Sequence, residues 1–359
     1  MTRIRNDIQE ERLKTMIIRS LACAAAALTV AALPARADSV SDFYQGKTVH
    51  LLIGAPAGGG YDAAGRAVAR YMGRHIPGNP NVVAENMAGA GGLILANFLY
   101  NRAPRDGTVM GEPTNSVPLE TKLQTMSAGA NVAFDTGKMS WVGTPAQQPQ
   151  VSVIWHDRPV HTLDDMRKRK VIFGATAAGV DTAILPNLMN QIFGTKNEII
   201  LGYNGFPDLI LGMERGEIDA QSALLANVTA GNPEYLRSKK IRFLVQFGSS
   251  RLAELADVPT AIEWADKEAD KELLRFYALK YDMAYPIGLP PDVPAERVKA
   301  LQDAFMATMK DPEYQDYARK AGLDVSPVSG PEMAQKIRDI NSAPQAIVDR
   351  LRALIIPPK

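Results

Sequence analysis

Apolar positions recur along this chain with two alternating periods. Thr48–Ile53 (TVHLLI) is a short β-branched and leucine run closed by Gly54 and Pro56, which predicts a buried strand. Ala63–His75 follows with Ala64, Ala67, Val68 and Tyr71 at helical spacing. The same reasoning predicts strands at Asn81–Ala84, Thr108–Gly111, Ser140–Gly143, Val171–Phe173, Glu198–Leu201, Ile218–Ser222 and Ile241–Phe247. Helices are predicted at Gly91–Asn101, Asp181–Phe193 and Pro207–Glu214. The last third is richer in helix. Pro294 opens one through Met309, with Val298, Leu301, Phe305 and Met309 on one face. Asp311-Pro312 starts a short one, and Pro331–Ile340 makes a third. Such alternation predicts an α/β fold of two lobes, each a mostly parallel sheet flanked by helices.

The first 37 residues read differently. Met16-Ile17-Ile18-Arg19 is a short basic lead, and Leu21–Leu33 is an apolar run of 13 residues, too short to span a bilayer. Ala35-Arg36-Ala37 is the small-x-small pattern of a signal peptidase site, so cleavage is expected after Ala37. Asp7, Glu10 and Glu11 are unusual in a basic lead and make Met16 an alternative start. Cys23 stands near the beginning of the apolar run, with Ser20 three residues before it, so lipidation is not expected. Its removal would leave a cysteine-free product, which suits an oxidising compartment. The exported chain would carry 34 basic and 36 acidic side chains, without the positive excess that a nucleic-acid backbone demands. A soluble periplasmic protein is expected.

Three glycine-rich loops carry the candidate chemistry, each between a predicted strand and a predicted helix. They are Gly54–Asp62 (GAPAGGGYD), Asn86–Gly92 (NMAGAGG) and Gly174–Thr182 (GATAAGVDT). Consecutive glycines let backbone N–H groups face a ligand, and the helix that follows adds unpaired N–H groups suited to an anion. Asp62 is expected to cap its helix. Any one loop reads equally well as an ordinary tight turn; three in corresponding places favour a shared cleft outside the carboxyl ends of the strands.

Rival motifs fit less well. The first loop lacks the G-x-G-x-x-G spacing, although Glu85 stands about where a ribose-binding acid would, and Gly60-Tyr61 replaces the Lys-Ser/Thr of a phosphate loop. There is no G-x-S-x-G elbow. Of four histidines only His156 and His161 are close, and five residues apart they occupy different faces of a helix. Neither a cofactor, a metal nor a catalytic constellation is expected.

With these loops the chain resembles the Bug-type receptors, the solute-binding proteins of tripartite tricarboxylate transporters. The resemblance runs from about Phe43 to Ile340. It rests on KTVHLLIGAPAGGGYDAAGRAVARYMGRH, on VVAENMAGAGGLILANFLYNRAPRDGTVMG, and on weaker blocks at Leu201–Gly205, Gly216–Ala220, Asp257–Thr260 and Pro290–Gly322. It implies a two-lobe periplasmic binding fold. Residues 38–142 plus 251–359 would form lobe one, and residues 143–250 lobe two, after the leader 1–37. It implies that Gly58, Gly59, Gly60, Gly89, Ala90 and Thr114 line lobe one, and that Thr176, Gly179, Thr182, Tyr203 and Asp219 approach from lobe two.

The sequence departs from that family's pattern in places. Ala55 stands where an aromatic residue is frequent, which either opens that wall or leaves its place to Tyr61. Asp181 stands near a usual Gly or hydroxyl; it either caps its helix or points inward and repels an anion. No Arg is singled out as a carboxylate clamp, so a carboxylate ligand is implied by the resemblance alone. A receptor follows that delivers a small organic anion to a membrane permease, as a monomer. A ligand sensor for a membrane signalling partner, and less readily an exported enzyme, are the alternatives.

Overall fold

The computed structural model describes residues 40–124, 132–231 and 233–355. The expected leader, its Cys23 and the Ala37 cleavage site lie outside the described residues. Eleven strands are described: β1 (Thr48–Ile53), β2 (Asn81–Asn86), β3 (Val109–Glu112), β4 (Ser140–Thr144), β5 (Gln150–Trp155), β6 (Lys170–Ala175), β7 (Lys196–Leu201), β8 (Ala220–Leu224), β9 (Ile241–Phe247), β10 (Ile287–Leu289) and β11 (Val328–Ser329). They form two sheets, ordered β11-β4-β10-β3-β1-β2 and β7-β6-β8-β5-β9.

The expected α/β architecture holds, but the sheets are mixed. β1 is parallel to β2 and β3, and β6 to β7 and β8. β10 runs antiparallel to β3 and β4, and β5 antiparallel to β8 and β9. The reason is where the chain crosses. It passes between sheets at residues 145–149 and 248–286, both at the end where β1, β2 and β3 finish. A strand entering a sheet from such a crossing runs away from that end, and a helical crossover returns the next strand in the direction of the one before it, so β2 and β3 follow β1 toward that end while β11 follows β10 away from it.

Local packing explains the main elements. The helix Gly60–Met72 buries Ala64, Ala67, Val68 and Met72 on one face. It lies very close to its sheet at Gly65, where a Cβ would stand 2.6 Å from Glu112 Oε2 and 2.8 Å from Ile53 Cδ1. Helix Asp181–Phe193 matches its expected bounds and ends at Gly194, φ +70°. β5 was not expected, because Gln150 and Ser152 interrupt its apolar run. The structure buries the whole strand and pairs Ser152 Oγ with Ser222 Oγ at 2.8 Å across the β5–β8 ladder.

The two sheets share an apolar core that runs from Leu95, Leu99 and Trp141 through Leu273 and Leu351 to Phe173 and Leu185. The last helix, Gln345–Ile355, is wedged into it. Arg352 donates to the carbonyls of Leu123 (2.7 Å) and Lys122 (2.8 Å) beside the first sheet. On its other side Asn187, in the helix Asp181–Phe193, donates to the carbonyl of Leu354 at 2.8 Å.

Candidate functional site between the two sheets

The loops that leave the carboxyl ends of β1, β2, β3 and β6 gather where the two sheets meet. A cavity of about 280 Å³ lies there, lined from the first sheet's side by Ser116, Leu119, Glu120 and Leu123. Gly179, Val180, Asp181 and Ile184 line it from the other, and Tyr277, Lys280 and Ile355 close it.

The first loop is pinned by a carboxylate. Asp62 does not cap the helix as expected: the helix begins at Gly60 behind Gly59, with no side-chain cap. Asp62 sits one turn in and folds back, accepting from Gly58 N–H (2.9 Å), Asn86 Nδ2 (2.9 Å) and Arg66 Nε (2.8 Å). Desolvation opposes its charge, but these donors prevail and hold the carboxyl below its ordinary range. The structural role expected of Asp62 stands, through a different geometry. Gly58, Gly59 and Gly60 remain exposed. The helix's first N–H groups have no intrahelical partner, which suits an electron-rich ligand group. Ala55 does not open the wall: it is buried, and its carbonyl accepts from Asn86 Nδ2 at 3.0 Å.

The second loop is a run of left-handed and extended positive-φ backbone: Gly89 (+140°), Ala90 (+44°), Gly91 (+63°) and Gly92 (+92°). Such a run costs least with glycine, and Ala90 holds it at some strain. Thr114 Oγ1 ties it down by donating to Gly91 O at 2.6 Å. Glu85 at the end of the preceding strand faces away from this chemistry and pairs with His50 at 2.6 Å.

The third loop is fastened at its base. Thr182 Oγ1 accepts from Thr176 N–H, and the two hydroxyls lie 3.1 Å apart. Gly179 is exposed at its tip, φ +80°. Asp181 points inward rather than capping: Val180 holds the cap position without a side-chain bond. Its Oδ1 accepts from Tyr277 Oη at 2.6 Å and from Lys280 Nζ at 2.7 Å. Lys280 is almost fully buried, also donates to Tyr277 Oη at 2.9 Å, and lies 4.1 Å over the Tyr277 ring. Burial and then the Asp181 charge push the Tyr277 hydroxyl well above its ordinary range, so it stays a donor.

An aromatic pair completes the first-sheet side. Tyr61 and Tyr285 pack edge to face with centroids 5.1 Å apart. Asn115 N–H donates to Tyr61 Oη at 3.0 Å, and Gln148 Nε2 donates to Tyr285 Oη at 2.8 Å. Burial pushes Tyr285 up to about 12 and raises Tyr61 as well. Through Asn115 the Tyr61 hydroxyl meets the segment after β3 one residue before Ser116 of the cavity wall.

Two expected lining residues do not reach this space. Tyr203 lies flat against its own sheet: a Cβ on Gly174 or Gly212 would meet its ring at 3.3 or 2.9 Å. Burial first, and the Glu217 charge second, push its hydroxyl above the ordinary range. Asp219 precedes β8 and therefore sits at the opposite end of the second sheet, accepting from Ile172 N–H at 2.9 Å and pairing with Arg158 at 2.9 Å. Conversely, Lys280, Tyr277, Tyr285 and Gln148 come into the site from the two crossings between sheets, which no strand–loop–helix signal marks. The one usable signal was Asp181, an inward acid that calls for a cation.

The model of the tripartite tricarboxylate transporter family receptor matches residues 65–352. A UPF0065 protein in the gbd 5′ region of Cupriavidus necator is 26% identical over 346 residues, covering 92% of this chain and 95% of that one. Among solved structures, a TctC solute-binding protein from Polaromonas superposes with a TM-score of 0.66 at 17% identity, covering 87% of this chain and 99% of that one. An R. palustris protein with adipate gives 0.55 at 21% identity, over 86% and 96%.

Proposed function

We propose, from the premise that the chain belongs to the tripartite tricarboxylate transporter receptor family, that it captures a small organic acid outside the cytoplasmic membrane and hands it to a membrane permease. The observation that carries this reading is a cavity walled by the segment after β3 and by the third glycine-rich loop, with the first two loops bonded to that same segment through Tyr61 and Thr114. The third loop and Lys280 offer donors there, and a ligand in this cavity touches the segment after β3 and the third loop at once. A ligand that bonds both halves in the closed arrangement shifts the molecule toward it, because only differential affinity moves such an equilibrium.

In this reading residues 38–142 and 251–359 make one lobe, residues 143–250 the other, and residues 1–37 the export leader. Gly58, Gly59, Gly60, Tyr61, Gly89, Ala90, Thr114, Thr176, Gly179, Asp181 and Thr182 hold the ligand. Support for a carboxylate comes from the adipate carried by the R. palustris relative and from the exposed helix N-terminus behind Gly58–Gly60.

The test is a thermal-shift panel of mono-, di- and tricarboxylates, aromatic acids and amino acids, followed by calorimetry. A binder of the folded state raises the melting temperature by mass action. A saturable shift with an acid that is recovered unchanged is the expected result. Turnover of the acid, or no shift with any acid, would overturn the proposal.

A further inference from the structure

We infer that the cleft takes an acid with one carboxylate and a long apolar body, and that Asp181 turns away acids with two or three. This rests on the receptor reading above and names the ligand class of the same site. Two independent features carry it.

The first is the lining. The interlobe cavity has Leu119, Leu123, Ile184 and Ile355 in its walls. A second cavity of about 220 Å³ adds Ala178, Ala183, Ile199 and Leu201, and shares Gly179, Ile184 and Ile355 with the first. The two adjoin through these shared residues, and the second is apolar except for Asn187. Such a wall rewards methylene groups, each roughly three- to fourfold in affinity while it remains covered.

The second is the charge at the polar end. Lys280 faces the cavity with one N–H on Asp181 Oδ1 (2.7 Å) and one on Tyr277 Oη (2.9 Å). An ammonium group has three donors, so a single acceptor remains to be served. Its charge is already matched by Asp181. The positive end of helix Asp181–Phe193 is matched by the same carboxylate. One ligand carboxylate fits beside Lys280 and Ser116. A second would sit within a few ångströms of Asp181, where Lys280 is the one cation among the described lining residues and is already shared with that carboxylate. At such spacing the repulsion weakens binding by about 100-fold.

The experiment compares octanoate, hexanoate, adipate, malate and citrate by calorimetry on the full chain, wild type and Asp181→Asn. For the wild type, octanoate is expected to bind about tenfold more tightly than hexanoate, and hexanoate about 100-fold more tightly than adipate. In Asp181→Asn the ratio of adipate to hexanoate affinity is expected to rise at least 30-fold, because Lys280 is freed. Asp181→Ser, with a hydroxyl at the helix start, is expected to shift the ratio the same way and guards against a misfolded first variant. Wild type that binds adipate or malate as well as hexanoate, or an unchanged ratio in folded variants, overturns this inference and leaves the receptor reading standing. Binding of no acid by either protein overturns both.

Discussion

Replacing Glu112 by Gln isolates an unusual source of pH dependence. Glu112 ends β3 and is fully buried, with both carboxyl oxygens lacking a hydrogen-bond partner. It lies against Gly65 and Ile53 beneath the helix that carries Asp62. Burial first, and the Asp62 charge second, push its carboxyl well above the ordinary carboxylate range. The folded chain therefore keeps a proton that the unfolded chain releases above about pH 4.3. For an acid shifted this way, the stabilising effect is complete below the unfolded pKa and is lost as pH rises toward the folded one. The slope is about 1.4 kcal/mol per pH unit. Between pH 5.5 and 7.5 the wild type should lose stability from this group at up to that slope, for as long as the folded carboxyl keeps its proton. Gln has the same shape and no proton to keep, so that slope disappears. Urea unfolding of both proteins at pH 5.5, 6.5 and 7.5 gives the measurement. The difference in stability should grow in favour of Glu112→Gln at each step. A difference that stays flat would mean that Glu112 ionises as easily in the fold as in the open chain, and would refute the reasoning.

Three further outcomes are expected. Gly59→Leu should keep its stability within about 0.5 kcal/mol, since φ is −92° and an added Cβ meets only Pro56 O at 3.9 Å. It should nonetheless weaken binding of the acid found in the thermal-shift panel at least about tenfold, read by calorimetry. Asp311 is desolvated, yet His75, the Glu313 N–H and Arg74 hold its carboxyl at about 2. Asp311→Ala should cost about 1–2 kcal/mol at pH 7, with the deficit vanishing as pH falls from about 4 toward 2, in chemical unfolding at each pH. Arg352→Ala strips the Leu123 and Lys122 carbonyls of their donor and should cost about 1–3 kcal/mol, seen as a lower denaturation midpoint.

Much of the fold could be read from periodicity and glycine. β1, the helix Asp181–Phe193 and the three loops announced themselves because apolar spacing and tight turns are local properties. β5 did not, since Ser152 is polar in sequence but satisfied by Ser222, 70 residues away. The candidate site divides the same way. Gly179 of the third loop was legible as part of the cavity wall; Lys280 was not, because it meets Asp181 across 99 residues through the packing of a crossing segment. Asp219 and Tyr203 were misplaced for a related reason. A short motif reveals that a residue flanks a strand, but the end of the sheet that faces the ligand is decided by the topology. Asp219 precedes its strand and so belongs to the far end.

The helix Gln345–Ile355 acts as a tie-rod. It is bonded to the first sheet's side through Arg352 and to the second's through the Leu354 carbonyl, and its final residue, Ile355, forms part of the cavity wall. The last turn of this helix is thus held by both halves, and a bulky side chain introduced at Ile355 would crowd the cavity. For an engineered biosensor the same feature becomes an advantage: a small environment-sensitive dye attached beside Ile355 sits on the joint itself. It would convert ligand capture into an optical signal without a second label.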